Sequence, residues 1–308
     1  MTSEKITIGK GTQYPLDGRL TLPDNLTNPV PAVVFVHGSG SSNMDEKVGK
    51  LTPFKDLAEG LAKHGIASVR YDKRPYKYGF KMVRHGGITV REEAIEDAIL
   101  AGKLLENDSR IDKSNIFIVG HSMGAMLAPR IDAEGGNFKG LILMAGTLRS
   151  LKNVLEDQTA DMLSHMKGIL KWLTEKQVKK IMKGFDGLEN ITDDEAKKRK
   201  FGNGVTMYYF KEMDSFPTAE CLKNTEKPVL VMQGDKDFQC KADVDFAGYK
   251  ALLEGRENVT FRLYENLNHC FVPSVYGIIT KAKQEYNKEQ HIGEKVIADM
   301  AEWIKGAI

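Results

Sequence analysis

An α/β fold with a mostly parallel central sheet, helices on both faces and an inserted helical cap is predicted by three observations. Short, continuously apolar runs recur along the chain. Segments with helical spacing of apolar residues lie between them. From residue 148 to 216 the alternation stops, and the chain turns rich in Lys, Glu and Met with helical spacing alone. A strand buried on both faces needs no polar alternation, and strands alternating with helices pack as a parallel sheet covered on either side. The predicted organisation is a core in two parts, residues 1–147 and 217–308, with residues 148–216 inserted as the cap.

The first element is of another kind. Ile6 and Ile8, then Leu20 and Leu22, alternate modestly across a polar, glycine-containing turn, which suits an antiparallel edge hairpin ended by Pro23. Buried strands follow at Ala32-Val33-Val34-Phe35-Val36, Ala67-Ser68-Val69-Arg70-Tyr71, Ile116-Phe117-Ile118-Val119, Leu141-Ile142-Leu143-Met144 and Val229-Leu230-Val231-Met232. A helix begins at Thr89, where Thr89-Val90-Arg91-Glu92 reads as a capping box, and continues with Ala94, Ile95, Ala98, Ile99 and Leu105 on one face. Ala125-Met126-Leu127-Ala128 starts another, which Pro129 should kink.

Within the insertion, helical spacing spans Val154 to Leu173 and recurs near Val178 to Met182. Trp172, Phe185, Phe201, Tyr208, Tyr209 and Phe210 give this stretch the apolar content of a folded unit, unlike a linker. The sheet resumes at Pro228, and Val259-Thr260-Phe261-Arg262-Leu263-Tyr264 reads as a further strand. The terminal helix, roughly Glu289 to Lys305, places Ile292, Val296, Ile297, Met300 and Ile304 on one face.

A chain of 308 residues with 41% hydrophobic content can bury a substantial core. Its 44 basic and 42 acidic residues nearly cancel, so no net field points to nucleic acid or an anionic membrane as partner. The one basic run, Lys197-Lys198-Arg199-Lys200, follows Asp193-Asp194-Glu195, which suits a solvated helix with acid at its start and base at its end. No run approaches 18 consecutive apolar residues and the first residues lack an apolar core, so a soluble, cytoplasmic protein is expected. Cys221, Cys240 and Cys270 are odd in number and widely spaced, as free thiols would be. No Cys/His spacing suggests a metal site, and no cofactor is expected.

The chemistry centres on Gly120-His121-Ser122-Met123-Gly124, set between the strand ending at Val119 and the helix starting at Ala125. A Gly-x-Ser-x-Gly sequence on a strand-to-helix corner is a nucleophile elbow. The turn holds the serine in a strained conformation, and side chains at positions 120 or 124 would crowd the neighbouring strand or helix. A serine hydroxyl is a poor nucleophile until a base takes its proton, and the base needs an orienting acid. Either carboxylate of Gln233-Gly234-Asp235-Lys236-Asp237 could serve at the end of its strand, with Asp237 favoured and Asp235 better suited to turn chemistry. His269 lies 32 residues past Asp237, on the loop after a strand, and completes the order Ser, Asp, His.

The other histidines read as bland. His64, His85, His165 and His291 fall in helical or surface contexts. His37 and His121 are embedded in the two turn motifs as supporting groups, His37 also being a candidate for substrate contact. Two backbone N–H groups should receive the developing oxyanion: that of Met123 and, from the loop His37-Gly38-Ser39-Gly40, that of Ser39.

Together, Val36-His37-Gly38-Ser39-Gly40, Arg70-Tyr71-Asp72-Lys73-Arg74, the elbow, Gly234-Asp235-Lys236-Asp237 and Asn268-His269-Cys270-Phe271 resemble the α/β-hydrolase superfamily. Within it the chain is similar to the dienelactone-hydrolase-like serine esterases, including the bacterial cinnamoyl and feruloyl esterases. Two segments depart from that pattern: Asp72 to Gly79, in place of a shorter glycine-rich loop, and Asn268 to Gln290, longer than the usual run to the last helix. The resemblance implies an acyl pocket between sheet and cap. Trp172, Tyr208 and Tyr209 then either line that pocket or simply pack the cap.

The function expected is hydrolysis of small to medium acyl or aryl carboxylic esters through Ser122, His269 and Asp237. Acyl transfer, thioester cleavage or peptide cleavage would use the same acyl-enzyme, and a non-catalytic binding protein could keep the fold. The partner expected is a small-molecule ester; the sequence leaves the oligomeric state open.

Overall fold

The computed structural model describes the backbone of residues 1–85, 88–202 and 204–308, with the side chains of Phe80, Val83, Arg84 and His85 outside that description. Eight strands form one sheet: β1 (Thr2–Ile8), β2 (Leu16–Leu22), β3 (Val30–Val36), β4 (Ala67–Tyr71), β5 (Ile111–His121), β6 (Leu141–Met144), β9 (Val229–Gly234) and β10 (Val259–Tyr264). Their order is β1-β2-β4-β3-β5-β6-β9-β10. Strand β2 pairs antiparallel with β1 and β4, whereas β4-β3-β5-β6-β9-β10 run parallel throughout. This is the mostly parallel sheet that the apolar runs predict, with the predicted hairpin at its edge.

Alternation within the buried strands divides the core in two. Val33, Phe35, Phe117, Val119, Ile142, Met144, Leu230 and Met232 pack with Phe54, Leu57 and Leu61 of α1 (Pro53–Lys63) and Val296, Met300 and Ile304 of α12 (Glu294–Gly306). Val34, Val36, Ile118, Leu141, Leu143, Val229 and Val231 face the other way. They join Ala98, Ala101 and Leu105 of α3 (Glu96–Glu106) and Ala125, Leu127, Ala128 and Ile131 of α4 (Met123–Ile131). Each fully buried Val, Leu, Ile or Phe contributes about 1.5–3 kcal/mol of transfer free energy, so burial on both faces outweighs the lack of polar strand positions.

Local details differ from the sequence expectations in instructive ways. At Thr89 half of the capping box forms: Glu92 Oε2 accepts from the Thr89 N–H at 2.8 Å, while Thr89 Oγ1 accepts from Arg91 N. Helix α4 keeps Pro129 inside it, continues to Ile131 and passes into a wider turn over Asp132–Gly136. The last helix starts at Glu294, later than the expected Glu289, behind Gly293. The expected helix from Val154 to Leu173 is two, α5 (Leu151–Ser164) and α6 (Gly168–Met182). Gly168 takes a left-handed φ of 66° between them, which an uninterrupted helix does not contain.

Between β6 and β9 the chain leaves the sheet for α5, α6, α7 (Asp193–Lys198), a ribbon of β7 (Lys200–Gly202) and β8 (Val205–Thr206), α8 (Met207–Asp214) and α9 (Thr218–Lys223). Helix α7 begins in a complete capping box of Thr192 and Glu195, with the acid-to-base order that its charges predict. The excursion is tied to α4, the helix that follows Ser122. The Tyr209 hydroxyl meets Met123 Sδ at 3.4 Å, Thr218 Oγ1 donates to the Met126 carbonyl at 3.0 Å, and Arg130 pairs with Glu212. Of the remaining helices, α2 (Arg74–His85) follows β4, α10 (Ala247–Leu253) follows β9, and α11 (Ala282–Tyr286) lies in the long segment before α12.

Candidate active site

Loops at the carboxyl ends of β3, β5, β9 and β10 meet over the middle of the sheet, the crevice where parallel strands present their loops to a ligand. At the end of β5, Ser122 adopts φ 55° and ψ −118°, a conformation that costs a residue with a side chain about 1–3 kcal/mol. Its N–H donates to the Met144 carbonyl at 2.9 Å, tying the turn to β6. The flanking glycines are dictated by space. A Cβ on Gly120 would stand 2.2 Å from the Gly124 carbonyl oxygen, and one on Gly124 would stand 2.1 Å from that of Val36.

His269 and Asp237 meet as a buried pair, Nδ1 to Oδ2 2.8 Å. Asp237 is itself held at every oxygen. Oδ1 accepts from the backbone N–H groups of Gln239 (2.7 Å) and Cys240 (2.9 Å), and Oδ2 also accepts from Gln233 Nε2 at 2.7 Å. Asp235 points elsewhere, accepting from the Asn266 N–H at 2.6 Å and so bracing the loop before His269. That loop has a second anchor in the long segment the sequence flagged. Glu285 of α11 accepts from Asn268 Nδ2 at 2.9 Å, from Ser274 Oγ and from the N–H groups of Val275, Tyr276 and Gly277.

The loop after β3 lies against the elbow: a Cβ on Gly38 would stand 3.1 Å from Ser122 Cβ. The Gly38 N–H is already taken, donating to Glu46 Oε1 at 2.7 Å. The N–H groups of Ser39 and Met123 have no backbone or side-chain acceptor among the described residues, and Met123 opens α4 with the helix dipole behind it. Glu46 also pairs with His121, Oε2 to Nδ1 3.0 Å, and His121 Nε2 lies 2.9 Å from the His269 carbonyl oxygen. Burial disfavours the charged His121 ring, yet the Glu46 carboxylate prevails and raises its pKa. Glu46 carries no motif, and its partner is 75 positions away, so sequence inspection has no signal for it.

His37 is not presented to the crevice. It is buried between Phe54 and Tyr71, ring centroids 5.0 and 5.7 Å away, with Nε2 3.0 Å from the Asn43 carbonyl oxygen. Burial, with Lys73 adding to it against the pull of Glu46, lowers its pKa to about 4. An unfolded imidazole titrates near 6.5, so between those values the unfolded chain binds the extra proton and stability falls as pH falls. The expected loss from this group is about 3 kcal/mol across that window. Denaturant midpoints between pH 7 and pH 4 check it: a His37→Gln variant should lose less stability than wild type, and equal slopes would exclude the assignment.

Of the three aromatics singled out in the insertion, Tyr209 reaches Met123, as above. Tyr208 lies beneath Lys197, Nζ 4.7 Å from the ring centroid. Trp172 is 50% exposed on α6 and carries Lys176 Nζ 3.8 Å from its ring centroid. The structure thus brings Ser122, His269, Asp237, Ser39, Met123 and Tyr209 to one end of the sheet, while His37 supports from behind and Trp172 faces outward. Glu46, Gln233 and Glu285, which no sequence motif announces, hold the loops that carry these candidates.

Residues 27–272 match the family described as serine aminopeptidase, S33. The chain is 34% identical over 290 residues to the esterase EstD of Thermotoga maritima; the alignment covers 94% of this chain and 65% of that relative's length. Among solved structures it is similar to Est1E from Butyrivibrio proteoclasticus, at 17% identity and a TM-score of 0.57 over 98% of this chain and 99% of that one. Est1E has also been solved with ferulic acid bound. An esterase of Pyrococcus furiosus is similar at 14% identity and a TM-score of 0.59, over 99% of this chain and 91% of that one. At such identities these structures speak for the shared fold. Among the described residues no helix is long and apolar enough to cross a membrane.

Proposed function

This chain belongs to the serine aminopeptidase, S33 family of hydrolases, and from its 34% identity to the esterase EstD we propose that it is a cytoplasmic serine hydrolase of small to medium carboxylic esters. The observation that carries the reading is the 2.8 Å His269–Asp237 pair on loops that converge with a strained Ser122. In this mechanism Ser122 Oγ attacks the ester carbonyl while His269 Nε2 takes its proton, and Asp237 holds the imidazole and balances its charge. The oxyanion rests on the Ser39 and Met123 N–H groups. The alcohol leaves with the proton from His269, and water activated by the same ring releases the acid. No cofactor takes part in these steps.

The insertion, residues 148–216, acts in this reading as the cap over the acyl pocket, with Tyr209 against the nucleophile turn. Its mixed charge and several aromatics, with the ferulic acid held by Est1E, support small to medium acyl or aryl esters as substrates. With p-nitrophenyl esters from acetate to laurate, turnover should be greatest at the short end. A clear preference for acyl chains longer than about ten carbons would overturn the substrate class.

Cleavage of peptides is the second reading, favoured by the family's own description. It uses the same acyl-enzyme, so comparing ester, thioester and aminoacyl-amide turnover decides between the two.

A further inference from the structure

Lys73 stands where the motif Arg70-Tyr71-Asp72-Lys73-Arg74 runs into the segment Asp72 to Gly79 that replaces the shorter glycine-rich loop. Lys73 is only 2% exposed, and its Nζ donates to the Gly38 carbonyl at 2.7 Å and to Glu93 Oε1 at 2.5 Å. Glu93 is itself 8% exposed. A buried ion pair rarely stabilises a fold more than apolar side chains of the same size would, so stability alone does not account for it.

We propose that Lys73 is a positioning residue for the oxyanion hole, holding the Gly38–Ser39 peptide so that the Ser39 N–H faces Ser122. In a trans peptide the C=O and N–H vectors are antiparallel. Anchoring the Gly38 oxygen on Lys73 therefore directs the Ser39 N–H to the opposite side. The preceding peptide is fixed independently, because the Gly38 N–H donates to Glu46 at 2.7 Å. The loop between two such anchors cannot rotate its peptide plane without breaking a charge-assisted hydrogen bond.

The neighbouring contacts keep the lysine in place. Its own N–H donates to the Ser42 carbonyl at 3.0 Å, Asp72 Oδ1 accepts from the Met44 N–H at 2.8 Å, and Arg74 is bidentate on Asp97. A cation on the carbonyl also polarises the peptide, which strengthens its N–H as a donor when charge develops on the substrate oxygen.

The assignment rests on the serine-esterase reading, and the test separates the two. Removing Lys73 alone would strand Glu93 as a buried charge, so the informative variant is the double Lys73→Met, Glu93→Gln, with Glu93→Gln and Lys73→Arg beside it. For each, kcat and KM on a p-nitrophenyl ester, the rate of labelling by a fluorophosphonate, and the affinity for a trifluoromethyl ketone that forms a tetrahedral adduct are measured. The double variant should lose on the order of 10²-fold in kcat, in labelling and in ketone affinity, with KM little changed. Glu93→Gln, which keeps the ammonium, should retain most of the rate, and Lys73→Arg should restore part of it.

A double variant with wild-type kcat, or one in which only KM rises, overturns the role of Lys73 and leaves the esterase reading standing. Wild-type protein that neither hydrolyses esters nor reacts with the phosphonate overturns both.

Discussion

Replacing Ser122 with alanine is expected to lower ester hydrolysis by on the order of 10⁴-fold or more and to abolish phosphonate labelling, with the fold intact. The hydroxyl oxygen is the only heavy atom removed, and the turn is held by the Ser122 N–H on Met144 and by the glycines on either side. A Ser122→Gly variant sharpens the test. At φ 55° and ψ −118° an alanine keeps the strain of the serine, whereas glycine releases it. Both variants should be inactive, but the glycine variant should be more stable than the alanine one by about 1–3 kcal/mol, seen as a Tm higher by a few degrees. Residual activity near wild type in either variant would remove Ser122 as nucleophile. Equal stability of the two would show that the elbow is not under strain.

Asp237→Asn should cost on the order of 10³–10⁴-fold in kcat. The carboxylate accepts four hydrogen bonds: two backbone N–H groups on one oxygen, Gln233 Nε2 and His269 Nδ1 on the other. An asparagine amide has one acceptor oxygen and one NH₂ group, so either orientation turns a donor toward donors. With the NH₂ toward His269, the ring must place its proton on Nε2, the wrong tautomer for taking a proton from Ser122. With the NH₂ toward Gln239 and Cys240, the loop loses both backbone bonds, at about 1–3 kcal/mol for each group left unpaired. Asp235→Asn is the matched control. The Asp235 carboxylate accepts from the Asn266 N–H, which an amide oxygen can still do. Its only other partner among the described residues is the half-exposed Lys236 at 4.0 Å, so kcat should stay within about twofold of wild type. If the two substitutions were to have equal effects, Asp237 would not be the orienting acid.

Much of the fold was readable one residue at a time. Val33-Val34-Phe35-Val36 and its counterparts are apolar at every position because both sheet faces are covered, and that pattern does not depend on which helix does the covering. The edge hairpin was readable because only one of its faces is buried. Helix ends were read less well. The break at Gly168 and the late start at Glu294 turn on single backbone conformations that a periodic pattern does not register.

The site divides along the same line. By itself the sequence determined the parallel sheet and the elbow, and it narrowed the candidates for acid and base to two aspartates and one favoured histidine, because each of these follows from residues adjacent in the chain. Only the tertiary structure decided the rest. It turned Asp237 toward His269 and Asp235 toward Asn266, took the Gly38 N–H for Glu46 and left that of Ser39 open. It drew Tyr209 to Met123 while Trp172 stayed outward. Each of those outcomes is a hydrogen bond or contact between loops far apart in sequence. Its partner is chosen by which strands lie side by side in the sheet, and local pattern carries no record of that choice.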